Sequence, residues 1–547
     1  MPHLSKRFSL GLVGALALAC LAPASVRAAS SPTDSERVLF AFDDRALPFQ
    51  QGLKLSLVDS HLMAGKPSNV VMAPGPDGAP DSAGCYFYGS VVAVKDEFWM
   101  WYLGVAKDDA PAFEDHLRIC LAKSKDGKHW VKPALDAVDY RGSRQNNLVA
   151  LAGGEFVTGD PTLVCYEADE PDPARRFKMA YDSHKYKMGM AVAFSPDGVH
   201  WTESANNPCG PWFEPSGLVK WRGVYMVNGQ SRGQWAAGGV GVRVLQTLVS
   251  YDFEHWAPTT ALGFRRDAQF PRPVAVTGAE DGEQVHLGAS VWNRGNVIIG
   301  LNGRWHGDSM KTPPNPTAKL TVDLLKGLKI DLGLLVSNDG IHYREPVRNF
   351  VAVAGGGEGK WDSEGVLQAN AFANTATETY IWYSHWNTSN PSRLPSLPDP
   401  LPADLALKAP AVGLLTIARD RFSYFSKLRA VSEERRPEYN TELESSCLTR
   451  SLTLSVPSRL FLNLDDLKHD VNQKAAKDIA MQVALVDDAE KPLAGYTAEI
   501  KETGLKVSIP WEGGSATLPV KTPFRVKITW PIGMNEAKVY AIYVEHD

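Results

Sequence analysis

Five acids stand ahead of five short aromatic or aliphatic runs. Asp81, in Asp81-Ser82-Ala83-Gly84, lies 18 residues before Trp99, and Asp160, in Gly159-Asp160-Pro161-Thr162, lies 17 before Phe177. Glu214, in Phe213-Glu214-Pro215-Ser216, lies 11 before Tyr225, and Glu364, in Asp362-Ser363-Glu364-Gly365, lies 17 before Ile381. The fourth run has Asp267 further upstream, with His286 placed 11 before Val297. Carboxyls gathered in one cleft push their pKa values apart. Cleaving a glycosidic bond needs that separation, with one carboxyl protonated and another ionised. Each acid alone equally fits a turn cap. Trp212, Trp292, Trp305, Trp361 and Trp386 lie close to these positions and suit either a sugar-stacking floor or core packing. Arg272 and Arg304 suit anionic substrate groups, and His286 with Arg272 would suit a lyase.

The elements that must position these residues are visible as a repeat. Ser124-Lys125-Asp126-Gly127-Lys128-His129-Trp130 recurs at Ser195–Trp201, Ser250–Trp256 and Ser337–Tyr343, with a worn copy at Ala418–Phe422. Asp-Gly supplies a side-chain acceptor and a residue free to take positive φ, which suits a tight turn. We read these aspartates as structural. Strand-like runs at 98–102, 177–181, 224–227, 297–301 and 380–383 alternate with the turns. Successive turn aspartates are 71, 55, 87 and 81 residues apart, the length of a four-stranded blade with its loops. The expected fold is all-β, a five-bladed β-propeller over 85–430 followed by a β-sandwich. A linker at 431–446 leads to sandwich strands over 447–547, and 29–84 leads into the propeller. In such a ring the residues just before each innermost strand crowd at one mouth of the channel.

With 46 Gly, 37 Pro and 22% charged residues, the chain of 547 residues is globular and turn-rich. A net charge of −5 without a basic patch argues against nucleic acid as a partner. Residues 1–28 have the order of a secretory signal peptide: Lys6 and Arg7, an apolar run from Phe8 to Leu21, then Val26-Arg27-Ala28. Its removal leaves a charge of −8 and no apolar stretch long enough to span a bilayer. The expected location is periplasm or cell exterior, with no membrane partner after cleavage. Cys85, Cys120, Cys165, Cys209 and Cys447 show no Cys-x-x-Cys spacing, so neither a metal nor another cofactor is expected.

The motifs Gly159-Asp160-Pro161, Phe213-Glu214-Pro215 and Ser-x-Asp-Gly-x-His-Trp resemble those of the five-bladed propeller glycoside hydrolases, the superfamily of families 32, 43 and 68. Tyr88-Gly89-Ser90-Val91 leading into Met100-Trp101-Tyr102, and later Asn146-Asn147, add to the likeness. The resemblance implies three acids from the first three blades: a nucleophile or base, a transition-state stabiliser and a general acid. Position by position, Asp160 matches the stabiliser and Glu214 the general acid. Asp81 is the best-placed first-blade acid, with Asp77, Asp44 and Asp43 as competitors. The chain lacks the Trp-Met-Asn-Asp-Pro-Asn-Gly box; Gly159 stands where family 32 has arginine, and Pro215 where it has cysteine. Glu364-Gly365 resembles the family 43 Glu-Gly-Pro acid motif, with Val366 in place of proline, and is the second candidate for the general acid. The function so implied is a secreted glycoside hydrolase with a carbohydrate substrate. The alternatives are a non-catalytic carbohydrate-binding propeller and a polysaccharide lyase.

Overall fold

The structure, a computed structural model, describes residues 36–58, 69–107, 117–151, 154–158, 162–187, 189–211, 213–231, 244–264, 284–307, 328–355, 361–362, 365–385, 410–428, 445–467, 480–531, 534 and 536–546. It is all-β. Two single 3-10 turns, Pro173–Arg175 and His184–Tyr186, lie wholly within the described residues.

Five antiparallel sheets follow one another along the chain. Sheet one contains Gly84–Val94, Glu97–Val105 and Leu117–Ser124, with bridges from Val131 and Leu148 on its outer edge. Sheet two contains Thr162–Tyr166, Phe177–Ser183, Gly189–Ser195 and His200–Glu203; sheet three contains Glu214–Trp221, Val224–Ser231, Val244–Ser250 and Ala257–Pro258. Sheet four contains Gln284–Asn293, Ile298–Gly307, Leu328–Ser337 and Val351–Val353. Sheet five contains Val366–Asn374, Glu378–His385 and Val412–Ala418, and its outer strand is Val70–Met72 from early in the chain. The five expected runs fall on the second strands, the fourth with Val297 one residue ahead of its strand. Each sheet's first strand packs against the first strand of the next, and the fifth returns to the first through a parallel pairing of Asn370 with Ser90.

The Ser-x-Asp turns lock neighbouring sheets together. In each of four copies one aspartate oxygen accepts two backbone N–H groups, as in Asp126 Oδ1 with Lys128 and His129 at 2.8 Å. Burial opposes ionisation, yet the His129 side chain and these amides hold the Asp126 carboxyl down at about 2. Gly127, Gly198 and Gly340 take φ of 72°, 75° and 76°. The sheet-one tryptophan Trp101 donates its indole N–H to Gly198 O of sheet two at 2.9 Å, and Trp382 of sheet five does the same to Gly127 O of sheet one. The third copy differs. Phe253 replaces glycine there at φ 68°, and Ala180 stands three residues after Phe177, where sheet one has Trp101 three after Phe98. The missing indole leaves room for the phenyl ring, and both residues belong to one buried cluster. The worn fifth copy has a different task. Asp420 is fully buried and accepts from Asn374, Arg294 and the Tyr543 hydroxyl, which joins sheets four and five to the C-terminal strands.

Two further sheets share one apolar core containing Leu460, Leu462, Ile542, Met481, Val526 and Ile528. The first contains Leu53–Leu57, Ser423–Lys427, Lys538–His546, Ser458–Asp465 and Gly504–Ser508, with Glu36–Phe40 on Lys538–His546. The second contains Phe49–Gln51, Ser445–Leu448, Arg525–Trp530, Met481–Val486 and Pro492–Ile500. The strands of 36–57 therefore pair with C-terminal strands, and only Val70–Met72 joins the ring of five. Ser423–Lys427 also pairs with the C-terminal strands. Alternating polarity marks a strand but not which sheet edge it completes.

Candidate functional site

Four of the five first strands carry a register shift at the same depth: between Tyr86 and Ser90, Pro215 and Gly217, His286 and Ala289, and Gln368 and Phe372. Such bulges re-aim side chains and free backbone groups that need new partners. Here they surround a narrow hollow between the first strands, too tight as it stands to hold a water molecule, lined by Tyr88, Gly89, Ser216, Leu287, Gln368 and Ala369.

In sheet four the backbone groups freed by the shift are taken up by three amide side chains. Leu287, at φ 62°, donates its N–H to Gln230 Oε1 at 3.2 Å, and Ala289 donates to Asn228 Oδ1 at 2.8 Å. Gln368 Nε2 donates to His286 O at 2.7 Å and to Gly288 O and Ser216 Oγ at 3.3 Å. One layer deeper the axis is tied shut. Asn370 bonds Val291 N and Leu218 O at 3.1 Å, and Ser90 Oγ accepts from Val164 N at 2.9 Å. Every sheet of the ring is thus linked at that layer, and the hollow has a polar floor.

Glu214 opens the first strand of sheet three and accepts from Gln230 Nε2 at 2.5 Å. A Cβ at Gly229 would lie 2.1 Å from Glu214 O, so only glycine lets the second strand approach the acid's backbone this closely. His286, on sheet four, is buried and lies ring to ring with Tyr88 of sheet one, centroids 6.3 Å apart. Tyr88 and Gln368 thus line the hollow, His286 precedes the lining residue Leu287, and Gln230 joins Leu287 to Glu214.

Asp81 is placed differently. It is fully buried, accepts from the Tyr102 hydroxyl at 2.7 Å and pairs with Lys132 Nζ. The same pairing recurs in sheet five, where Tyr383, also 21 residues further on, donates to buried Asp362 at 3.1 Å. Asp-Ser-x-Gly followed by a tyrosine is thus a repeated way of anchoring a first strand. Trp292 stacks on Phe372 at 5.7 Å beneath Arg294, and Trp361 is buried against Tyr383 and His385. Trp292 thus packs sheet four on sheet five, and Trp361 packs on the second strand of sheet five. Arg304 is buried and paired with Asp331. Asp160, Glu364, Trp212, Asp267, Arg272 and Trp386, and the side chain of Trp305, lie outside the described residues. Gln230, Gln368, Ser216 and Tyr88 were not singled out for the site by sequence reasoning. The signal for Gln230 is the pair Asn228 and Gln230, two amides at strand spacing in an otherwise apolar run.

Among the described residues no three His, Cys, Asp or Glu side chains are grouped to hold a metal ion. All five cysteines from Cys85 onward are free thiols.

No family model matches the chain, and no curated protein matches it. Solved structures do. A glycosyl hydrolase from Bacteroides ovatus is 15% identical, with 65% of this chain and 93% of that one covered and a TM-score of 0.38. A structure from the glycoside hydrolase family 130 of mannoside phosphorylases, described as containing hydrolases of β-1,2 mannosidic linkages in Candida mannan, is 14% identical over 65% and 93% at 0.37. An N-acetylgalactosamine deacetylase from F. plautii, in complex with blood group B trisaccharide, is 13% identical over 72% and 96% at 0.35. Identities this low and TM-scores below 0.5 leave the reading of this chain to its own residues.

Proposed function

We propose that the five sheets are the blades of a five-bladed β-propeller, that the C-terminal sheets form a β-sandwich, and that the chain is a secreted glycoside hydrolase acting on an oligo- or polysaccharide. Glu214 protonates the leaving oxygen. The second carboxylate is Asp160, two residues before the first strand of the neighbouring sheet, with Glu364, two before Val366, as the other source. Asp81 we assign to anchoring its strand, because Tyr102 and Lys132 enclose its carboxylate as Tyr383 encloses Asp362. The observation that carries the reading is Glu214 held by Gln230, whose amide also bonds Leu287 in the lining of the hollow. A carboxyl donates usefully only within hydrogen-bond reach of the reacting oxygen, and the fixed carboxyl together with amide donors supplies both proton transfer and hydroxyl recognition.

The test is product release from a panel of glycans by wild type, Glu214→Gln and Asp160→Asn. Loss of turnover in both variants with binding retained supports the hydrolase; full turnover by Glu214→Gln overturns it. A second reading, a polysaccharide lyase, is favoured by one observation, the stacked Tyr88 and His286 beside the hollow. It requires an unsaturated product absorbing in the near ultraviolet, lost in His286→Ala.

A further inference from the structure

We infer that Gln230 is a positioning residue that sets the orientation of the Glu214 carboxyl and how tightly it holds its proton. The inference deepens the reading above, in which Glu214 is the proton donor. An amide side chain can be turned either way, and its neighbours decide which. Here the decision is made by sheet four. The Leu287 N–H, freed by the register shift, requires an acceptor and finds Gln230 Oε1. The other end of the amide is then the NH2 group, and it faces Glu214 Oε2. Glu214 Oε2 is thus fixed as an acceptor of the Gln230 amide. A donor to the carboxylate also favours its ionised form, so Gln230 restrains how readily Glu214 takes up a proton.

The anchor for this clamp is the backbone of a different sheet. Leu287 is held in a left-handed conformation and Gly288, at φ 101°, follows it. Gln368 holds the same bend from sheet five through His286 O and Gly288 O. A change at the bend therefore reaches the acid through one side chain. The titratable groups on the described strands packed against the Glu214 strand are His286 on sheet four, Cys165, Tyr166, Lys178, Tyr181 and Asp182 on sheet two, and Tyr225 on sheet three.

The experiment is pH-dependent carbodiimide labelling of the full chain, read at Glu214 by peptide mass spectrometry, since the protonated carboxyl is the reactive form. It requires no substrate. Gln230→Met removes both bonds. Gln230→Leu, uncharged and likewise without donor or acceptor, is the second variant should the methionine variant fail to fold. In each variant the Glu214 labelling midpoint is expected to move up by about one pH unit, a tenfold change in proton affinity, while labelling at exposed Glu499 stays unchanged. An unmoved Glu214 midpoint in the folded variants overturns the inference. A moved midpoint combined with full turnover by Glu214→Gln leaves the clamp standing and removes the hydrolase reading.

Discussion

Replacing Trp101 with alanine while giving Gly198 the phenyl ring that Phe253 carries tests the packing logic of the ring directly. Trp101 is fully buried, and truncating a buried tryptophan costs about 3–5 kcal/mol. Loss of its bond to Gly198 O leaves that carbonyl with the Trp201 indole alone, at 3.2 Å, about 1 kcal/mol more. Gly198→Phe alone is also costly. A Cβ there would lie 2.8 Å from Trp101 Cζ2, overpacking costs about 1–3 kcal/mol, and a side chain at φ 75° adds about 1–2 kcal/mol. In the double variant the phenyl ring occupies the space of the indole, as at Ala180 and Phe253. The cavity and overpacking costs then largely vanish, leaving the left-handed residue and the lost hydrogen bond. The expected coupling is therefore about 3 kcal/mol or more, far above the roughly 0.5 kcal/mol seen between independent sites. Urea unfolding of wild type, both single variants and the double variant, followed by far-ultraviolet circular dichroism, measures it. Additive losses would refute the claim that neighbouring sheets recognise one another through this indole and turn.

Removing one partner of the buried Arg294–Asp420 pair, as in Arg294→Met, is expected to cost about 3–5 kcal/mol and to lower the melting temperature clearly; a change under 1 °C would contradict the joint described here. Tyr102→Phe and Tyr383→Phe should each cost about 1–3 kcal/mol by leaving a buried carboxylate short of a donor, with kcat on any identified glycan unchanged. A fall in kcat for Tyr102→Phe alone would return Asp81 to the chemistry. Burial opposes ionisation of Glu167, yet Lys178, Lys220 and Tyr225 hold it down at about 2 from an ordinary 4.5. A depressed acid stabilises the fold above its unfolded value, so this contribution is expected to be full above pH 4.5 and to fade toward pH 2. The difference in urea midpoint between wild type and Glu167→Gln should shrink over that range, and a constant difference would contradict the assignment.

The repeat was legible because it is local. A serine, an aspartate, a glycine and an aromatic within seven residues write their own hydrogen bonds, and four copies form as read. The replacement of Trp101 by Ala180 opposite Phe253 is written in two places 73 residues apart, and only the packing of sheet two on sheet three joins them. Asp81 shows the limit of spacing arguments. Its distance to the next aromatic run matches that of Asp160, but Asp362 lies at the corresponding distance from a tyrosine too, and tertiary burial decides which acid anchors a strand. Gln230 was overlooked for a related reason. Its role depends on a register shift in another sheet, which no periodicity in its own strand records.

The most direct measurement is the structure of Glu214→Gln determined with a saccharide from the glycan panel. The account requires the sugar against the five-sheet unit, with its glycosidic oxygen within hydrogen-bond reach of residue 214. A saccharide bound only on the C-terminal sheets, or with that oxygen turned away from residue 214, would contradict it.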